Sequence, residues 1–444
     1  MRVLALARVT AAETIRSRAL LGPAALLALG LAVIAGSASG DGTAEGRVRS
    51  VLSTGLDLTQ VLVALAAAFL ATGSLAAELQ DGRFVPFASA PVSRASILLG
   101  KWIGTTVVLL LLIGAGVAVT GAIAGAASRA AASADESARI RDTILTARVA
   151  LAPAPLDVSK AARNRLAHYV AENRLPPGMS PEEALKRIED DERIRRSTAT
   201  RQRTLRWEVG PVPAARGGEA SIRFRYDVLG DLPLGSGPRG LLAVAGAPPV
   251  RVTSAPRSTH EVTIPAEAVS GKERVGVEYT NLDDRAVAVV FPPGGVELLV
   301  PAHGFAANLL RAFLIFGART SFIVALGLAL ATVLDGKVAT LGTLSFVVIG
   351  AAHAFLDEAV GPIVARSATD RVFGPADAVV KAILSGVLEL VPDLSAGDPA
   401  AAVQGGLAVS GVAAALLGLA LARSAIVLVL GALALSRREI GGRE

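Results

Sequence analysis

Six stretches of this chain are apolar for about the length that crosses a lipid bilayer, and this feature limits the fold most. A spanning helix needs roughly 20 mostly apolar residues. The mean hydropathy of +0.54 and the 18% of charged residues are also unusual for a soluble chain. We therefore predict a membrane α-helical bundle with six transmembrane helices. The candidate spans are residues 19–37, 56–77 and 102–127, a segment after Phe305 that ends at Leu334, residues 338–356, and a segment within 403–435.

The middle of the chain has a different composition. Residues 128–306 hold 25 of the 44 Lys and Arg residues and 22 of the 38 Asp and Glu residues. This segment resembles a soluble domain inserted between the third and fourth spans. The chain has no cysteine, so a disulfide cannot hold such a domain, and its stability must come from its core.

The inserted domain, placed at residues 128–304, divides into two parts. Residues 128–205 have helical patterns, and the sequence Ser-Pro-Glu-Glu at 180–183 is typical of a helix start. In residues 206–304, short segments alternate apolar and polar residues, and several such strands predict a β-sandwich. We therefore expect an α+β domain. The clearest alternation has Ile222, Phe224, Tyr226 and Val228 on one face and Arg223, Arg225 and Asp227 on the other.

Basic residues in the short loops predict the orientation of the bundle, because Lys and Arg accumulate in cytoplasmic loops. Arginines precede the first span and follow the sixth, and three basic residues separate the second span from the third. We therefore predict that both termini are cytoplasmic and that residues 128–304 are extracytoplasmic. The net charge of +6 with 4% aromatic residues is attributed to topology, and no nucleic-acid partner is expected. The first apolar run also fits a signal peptide, but its length favours an uncleaved span.

The segment between the second and third spans carries a series of short motifs. An acidic residue ends the second span, a glycine and a Pro-Val-Ser-Arg turn follow, and a Gly-Lys pair precedes the third span. This order resembles the membrane permease subunit of ABC-2 type ABC transporters. The Arg-Arg-Glu tail and the residues Pro301, Phe305 and Asn308 before the fourth span are also similar to that family. The positions in the loop are Glu78, Gly82, Pro91, Val92, Ser93, Arg94, Gly100 and Lys101.

The resemblance implies that the chain forms a translocation pathway, pairs with a second permease (identical or different), and binds a separate ABC ATPase subunit. It covers the two membrane parts, residues 1–127 and 305–444, and implies an outer segment at 357–401. The composition, rich in Ala, Arg and Gly, indicates a bacterial inner-membrane protein. It also implies an ATPase-coupling role for the loop at 78–101. An ordinary cytoplasmic loop, whose basic residues only fix topology, is the other interpretation. The implied coupling residues are Glu78, Pro91, Arg94, Gly100 and Lys101.

The sequence contains no HExxH, G-x-S-x-G or Walker A motif. Trp102 follows Gly100 and Lys101, so this pair is not a phosphate loop. We therefore predict a transporter subunit that is not an enzyme, with no cofactor and no metal site, and with ATP hydrolysis in a partner. A membrane-anchored extracytoplasmic binding or scaffold protein is the alternative, and it would need no ATPase.

Two arginines, Arg319 and Arg423, lie inside apolar stretches. A charge at membrane depth usually faces the bundle interior or a wet cavity, which would make these residues candidates for translocation or gating. They could instead lie near the headgroups, Arg319 at the outer surface and Arg423 by snorkelling. His353 fits helix packing better than a ligand or proton site. Residues 376–390 fit a re-entrant or surface helix.

Overall fold

The computed structural model forms two compact units, Met1–Leu145 with Phe305–Glu444, and Thr146–Gly304. Of the predicted features, Gly82, Pro91, Val92, the segment 376–390 and most of the outer segment 357–401 lie outside the described residues. The structure describes residues 2–37, 42–80, 93–172, 179–233, 235–353, 355–356, 393–394, 397–409 and 412–437, without the side chains of 412–417.

The first unit is helical, and two further helices belong to the second unit. These two helices are Ser159–Ala171 and Pro181–Arg196. The helices are α1 (Arg2–Arg16), α2 (Arg18–Ser37), α3 (Ala44–Gln80), α4 (Arg94–Arg129), α5 (Ala134–Thr143), α6 (Ser159–Ala171), α7 (Pro181–Arg196), α8 (Phe305–Val333), α9 (Gly336–Ala351), α10 (Pro399–Gln404) and α11 (Val412–Arg437).

Five helices in the described residues are long and apolar enough to cross a membrane: α2, α3, α4, α8 and the Gly418–Arg437 part of α11. They coincide with five of the six predicted spans. The exception is the span predicted at 338–356, where α9 has 16 residues. At about 1.5 Å per residue, α9 is about 24 Å long, which is shorter than a hydrocarbon core of about 30 Å. The count of six spans is therefore not confirmed.

Helices α3 and α4 approach each other through glycine and threonine. A Cβ atom at Gly55 would lie 2.7 Å from the Thr120 side chain, and one at Gly116 would lie 2.6 Å from the Thr59 side chain. Both threonines are fully buried. In each helix the glycine precedes the threonine by four residues, so both lie on one face, where small residues let membrane helices pack closely.

The second unit contains three antiparallel sheets. The strands are β1 (Thr146–Leu151), β2 (Thr198–Ala199), β3 (Thr204–Val209), β4 (Glu219–Phe224), β5 (Asp227–Leu229), β6 (Arg239–Val244), β7 (Val250–Thr253), β8 (His260–Pro265), β9 (Val275–Asn281), β10 (Ala288–Val290) and β11 (Val296–Gly304). Their orders within the sheets are β1-β11-β4-β8, β2-β10-β5 and β3-β9-β6-β7.

The two four-stranded sheets share one hydrophobic core. Phe224 of β4 and Tyr279 of β9 are each 1% exposed. Tyr279 packs edge-on against Phe291, with ring centroids 5.0 Å apart, and Tyr226 packs against the same ring at 5.7 Å. The predicted β-sandwich is therefore confirmed, with the third, short sheet beside it.

Strand β1 differs from the helix predicted across residues 128–205. Its Ala-containing sequence fits a helix, but β1 pairs with β11, and Val149 lies opposite Val300. Cross-strand pairing outweighs such weak local preferences, because strand propensity depends strongly on context. Helices α6 and α7 do lie within the predicted helical part, and Ser180 starts α7 with the expected capping box.

Candidate coupling site

An ion pair joins the two ends of the loop 78–101. Lys101 Nζ in α4 donates a hydrogen bond of 2.6 Å to Oε1 of Glu78 near the end of α3. The Lys101 side chain is 6% exposed and that of Glu78 is 18% exposed. Solvent and salt screen such a shielded pair weakly. The contact therefore holds together the ends of α3 and α4 that are predicted to face the cytoplasm.

The second carboxylate oxygen of Glu78, Oε2, is also buried. Within the described part of the chain it has no hydrogen-bond partner. An ionised carboxylate can accept several hydrogen bonds, and a buried acceptor without one costs about 1–3 kcal/mol or more. The site therefore contains an acceptor that the described residues do not satisfy.

Gly100 lies where α1 crosses the start of α4. A Cβ atom at Gly100 would be 2.6 Å from the Cβ atom of Leu6, and one at Gly104 would be 2.5 Å from the carbonyl oxygen of Ala7. A side chain at either position would therefore push α1 away. The spacing of these two glycines is a small-xxx-small pattern, which is the sequence signal that could have identified this contact.

Arg94 is the first residue of α4, and Ser93 caps that helix by accepting a hydrogen bond from the Ser96 amide. The Arg94 guanidinium donates a hydrogen bond to the carbonyl oxygen of Leu435 in α11. Glu78 and Lys101 are thus brought into contact, whereas this bond of Arg94 reaches the C-terminal helix. The link to α11 could not be found from the sequence, because it joins positions that are 341 residues apart.

The two arginines that lie inside apolar stretches of the sequence have different surroundings. Arg319 is 9% exposed, and its Nη1 atom donates a hydrogen bond of 3.3 Å to Oε1 of Gln60 in α3. Its guanidinium is therefore directed toward α3 within the helical unit. Arg423 is partly exposed on α11. His353, just beyond α9, has Nδ1 at 4.0 Å from Oδ2 of Asp393.

Asn308, one of the residues that carried the resemblance, fastens a C-terminal segment to α8. Its Nδ2 atom donates to the carbonyl oxygen of Leu407, and its Oδ1 atom accepts from the amide of Val409, both at 2.8 Å. The side chain is fully buried. Its role in this chain is therefore structural.

Buried charges in the second unit tie strands and turns together. Arg148 is 1% exposed and donates a 2.8 Å hydrogen bond to Oε2 of Glu261. The buried carboxylate of Asp283 accepts hydrogen bonds from the Arg285 side chain, and these hold the pKa of Asp283 well below its usual range.

In the residues that the structure describes, no cluster of His, Asp and Glu could hold a metal ion.

The apolar helices and the β-rich second unit define a multi-pass membrane protein with an inserted domain. Residues 4–171 match the family described as ABC-2 family transporter protein. The match covers α1 to α4, and so both partners of the Glu78–Lys101 pair. It confirms the resemblance drawn from the loop motifs and supports a permease role. No curated protein matches the chain.

Proposed function

We propose that this chain is the permease subunit of an ABC-2 type ABC transporter, which forms the translocation pathway and is driven by a separate ATPase subunit. The observation that carries the proposal is the shielded ion pair between Glu78 and Lys101, within the family match. Because this pair joins the ends of α3 and α4, a force applied to the loop between them would reach both helices.

The mechanism is alternating access by two paired permease chains, identical or different. ATP-driven closure of two ATPase subunits displaces the loops at 78–101. Helices α3 and α4 then move as one body, because their glycine and threonine contacts hold them close. The start of α4 also contacts α1 at Gly100 and α11 through Arg94, so the displacement reaches both ends of the chain.

Each coupling residue has a different task in this mechanism. The Lys101 side chain is too deeply shielded to meet a partner, so it acts by positioning the loop. Glu78 supplies the acceptor that holds Lys101 in place, while its buried Oε2 atom has no hydrogen-bond partner among the described residues. In this arrangement both termini are cytoplasmic, the unit Thr146–Gly304 is extracytoplasmic, and the chain resides in a bacterial inner membrane.

A charge swap tests the positioning role. Lys101→Glu places two carboxylates in contact and should uncouple ATP hydrolysis of the copurified ATPase from the permease. The double variant Glu78→Lys with Lys101→Glu restores an ion pair and should recover most of the coupling. Lys160→Glu, an exposed substitution in α6, controls for the change in net charge. The measurement is ATPase activity in lipid vesicles, with and without the permease.

Two results would contradict the proposed positioning role of the Glu78–Lys101 pair. Normal coupling in Lys101→Glu, with normal membrane insertion, would mean that the pair has no part in coupling. Persistent uncoupling in a well-inserted double variant would mean that Lys101 acts through direct contact with the ATPase, and not by positioning the loop.

A further inference from the structure

A cleft opens at one end of the sheet β1-β11-β4-β8. It has a volume of about 260 Å³, and its lining includes Arg223, Thr259 and Glu297. The cleft lies where β4 ends and where β8 and β11 begin. Loops at the ends of a sandwich are a common place for binding sites, because the sheets hold them rigidly while their sequences vary.

The cleft holds two arginines with different electrostatic environments. Arg223 is neutralised by its strand neighbour, since its Nε atom donates a 2.8 Å hydrogen bond to Oε2 of Glu297. Arg225 also lines the cleft, and its side chain is exposed. The ion pairs that the described residues form include Arg223 with Glu297 but none that involves Arg225. The cleft therefore carries a positive charge that the described carboxylates leave unmatched.

A glycine turn fixes the backbone beside Arg225. The amide of Arg225 donates a 2.8 Å hydrogen bond to the carbonyl oxygen of Gly295. A Cβ atom at Gly295 would lie 2.8 Å from the carbonyl oxygen of Arg225, so only glycine permits this approach. Gly294 has φ +69°, and a Cβ atom there would have no neighbour within 4 Å. On this side, backbone atoms without side chains therefore line the cleft, and open space lies next to them.

We propose that this cleft binds a small oxyanion, a carboxylate or a phosphate group, with Arg225 as its principal ligand. A guanidinium presents paired donors that match two oxygens of such a group. Thr259 lines the same cleft, and its hydroxyl supplies a further donor in this proposal. All residues of the site belong to the second unit.

The test is a titration of the full chain in mild detergent. Inorganic phosphate and acetate are each added up to roughly 50 mM at constant ionic strength, and thermal unfolding is followed by the fluorescence of Trp207 in a Trp102→Phe background. A ligand that binds only the folded state raises the melting temperature in a saturable manner. The comparison of the two anions identifies which oxyanion the cleft prefers.

Arg225→Gln should raise the half-saturating concentration by at least about tenfold, because a charge-assisted hydrogen bond is lost. Arg251→Gln is the matched control, since it removes an exposed arginine from β7, and it should bind as the parent does. Thr259→Val should weaken anion binding several-fold, and this variant tests the site if Arg225→Gln fails to fold. No saturable response in the parent, or unchanged binding in the Arg225 and Thr259 variants, would overturn the proposal.

Discussion

Truncation of Phe224 gives the sharpest test of the sandwich core. Phe224 is 1% exposed, and its ring stacks on that of Tyr226 with centroids 6.0 Å apart. The fragment to use is Thr146–Gly304, because this range forms its own compact unit. A fragment that starts at residue 206 would lack β1, and β11 would lose its antiparallel partner.

The expected loss follows from the burial of the ring. A buried Phe→Ala substitution costs about 3–5 kcal/mol, from lost transfer free energy and the cavity left behind. In a domain of this size, each kcal/mol lowers the melting temperature by about 2–4 °C. We therefore expect Phe224→Ala to melt about 6–20 °C below the parent fragment.

The assay is urea unfolding followed by circular dichroism, together with a thermal scan. Leu229→Ala is the control, because Leu229 is 59% exposed and its loss should cost less than about 0.5 kcal/mol. The dependence of the unfolding free energy on urea should stay unchanged, which would show that only stability has changed. Equal urea midpoints for the two variants would refute the assignment of Phe224 to a shared core.

Three further predictions concern packing, pH and orientation. Gly116→Leu should lower the melting temperature of the detergent-purified chain, since overpacking costs about 1–3 kcal/mol, whereas Gly125→Leu meets open space and should not. The depressed pKa of Asp283 makes its stabilising contribution complete above about pH 4 and progressively lost at lower pH, so Asp283→Asn should flatten the decline of the urea midpoint of the fragment below pH 4. Because the chain has no cysteine, an impermeant thiol reagent can report orientation: it should label Ala214→Cys in intact cells but not Ser436→Cys.

Local sequence patterns predicted the elements whose conformation depends mainly on residues that are close in the sequence. The alternation around Phe224 predicted a strand with one buried face, because that face of its sheet meets the shared core. The start of α7 at Ser180 was predictable for a different reason: its capping box lies within four consecutive residues. Information that is local in the sequence was sufficient in these cases.

Elements that depend on distant partners could not be predicted in the same way. Strand β1 has an alanine-containing sequence that suits a helix and becomes a strand by pairing with β11. Strand β6 was not predicted, because its run of apolar residues lacks the alternation of a strand with one exposed face. It lies between β9 and β7 in its sheet.

The sequence predicted which residues belong to the candidate coupling site, but not which of them are in contact. The loop motifs identified Glu78, Arg94, Gly100 and Lys101, but not the ion pair or the hydrogen bond from Arg94 to Leu435. Spacing alone cannot reveal such contacts, since they depend on how α3, α4 and α11 pack. Lys101 is buried, which supports the positioning role that we propose for it.

We propose that this chain works as a permease with a separate ATPase, and copurification is the direct test of that pairing. The chain would be isolated from its native membrane in mild detergent, and its partners identified by mass spectrometry. We expect a nucleotide-binding subunit in stoichiometric amount. Its ATP hydrolysis should change when this chain is present and should lose that response with Lys101→Glu. A chain that is folded and inserted but carries no ATPase, both in detergent and after crosslinking in the membrane, would contradict this proposed function and favour a membrane-anchored binding or scaffold protein.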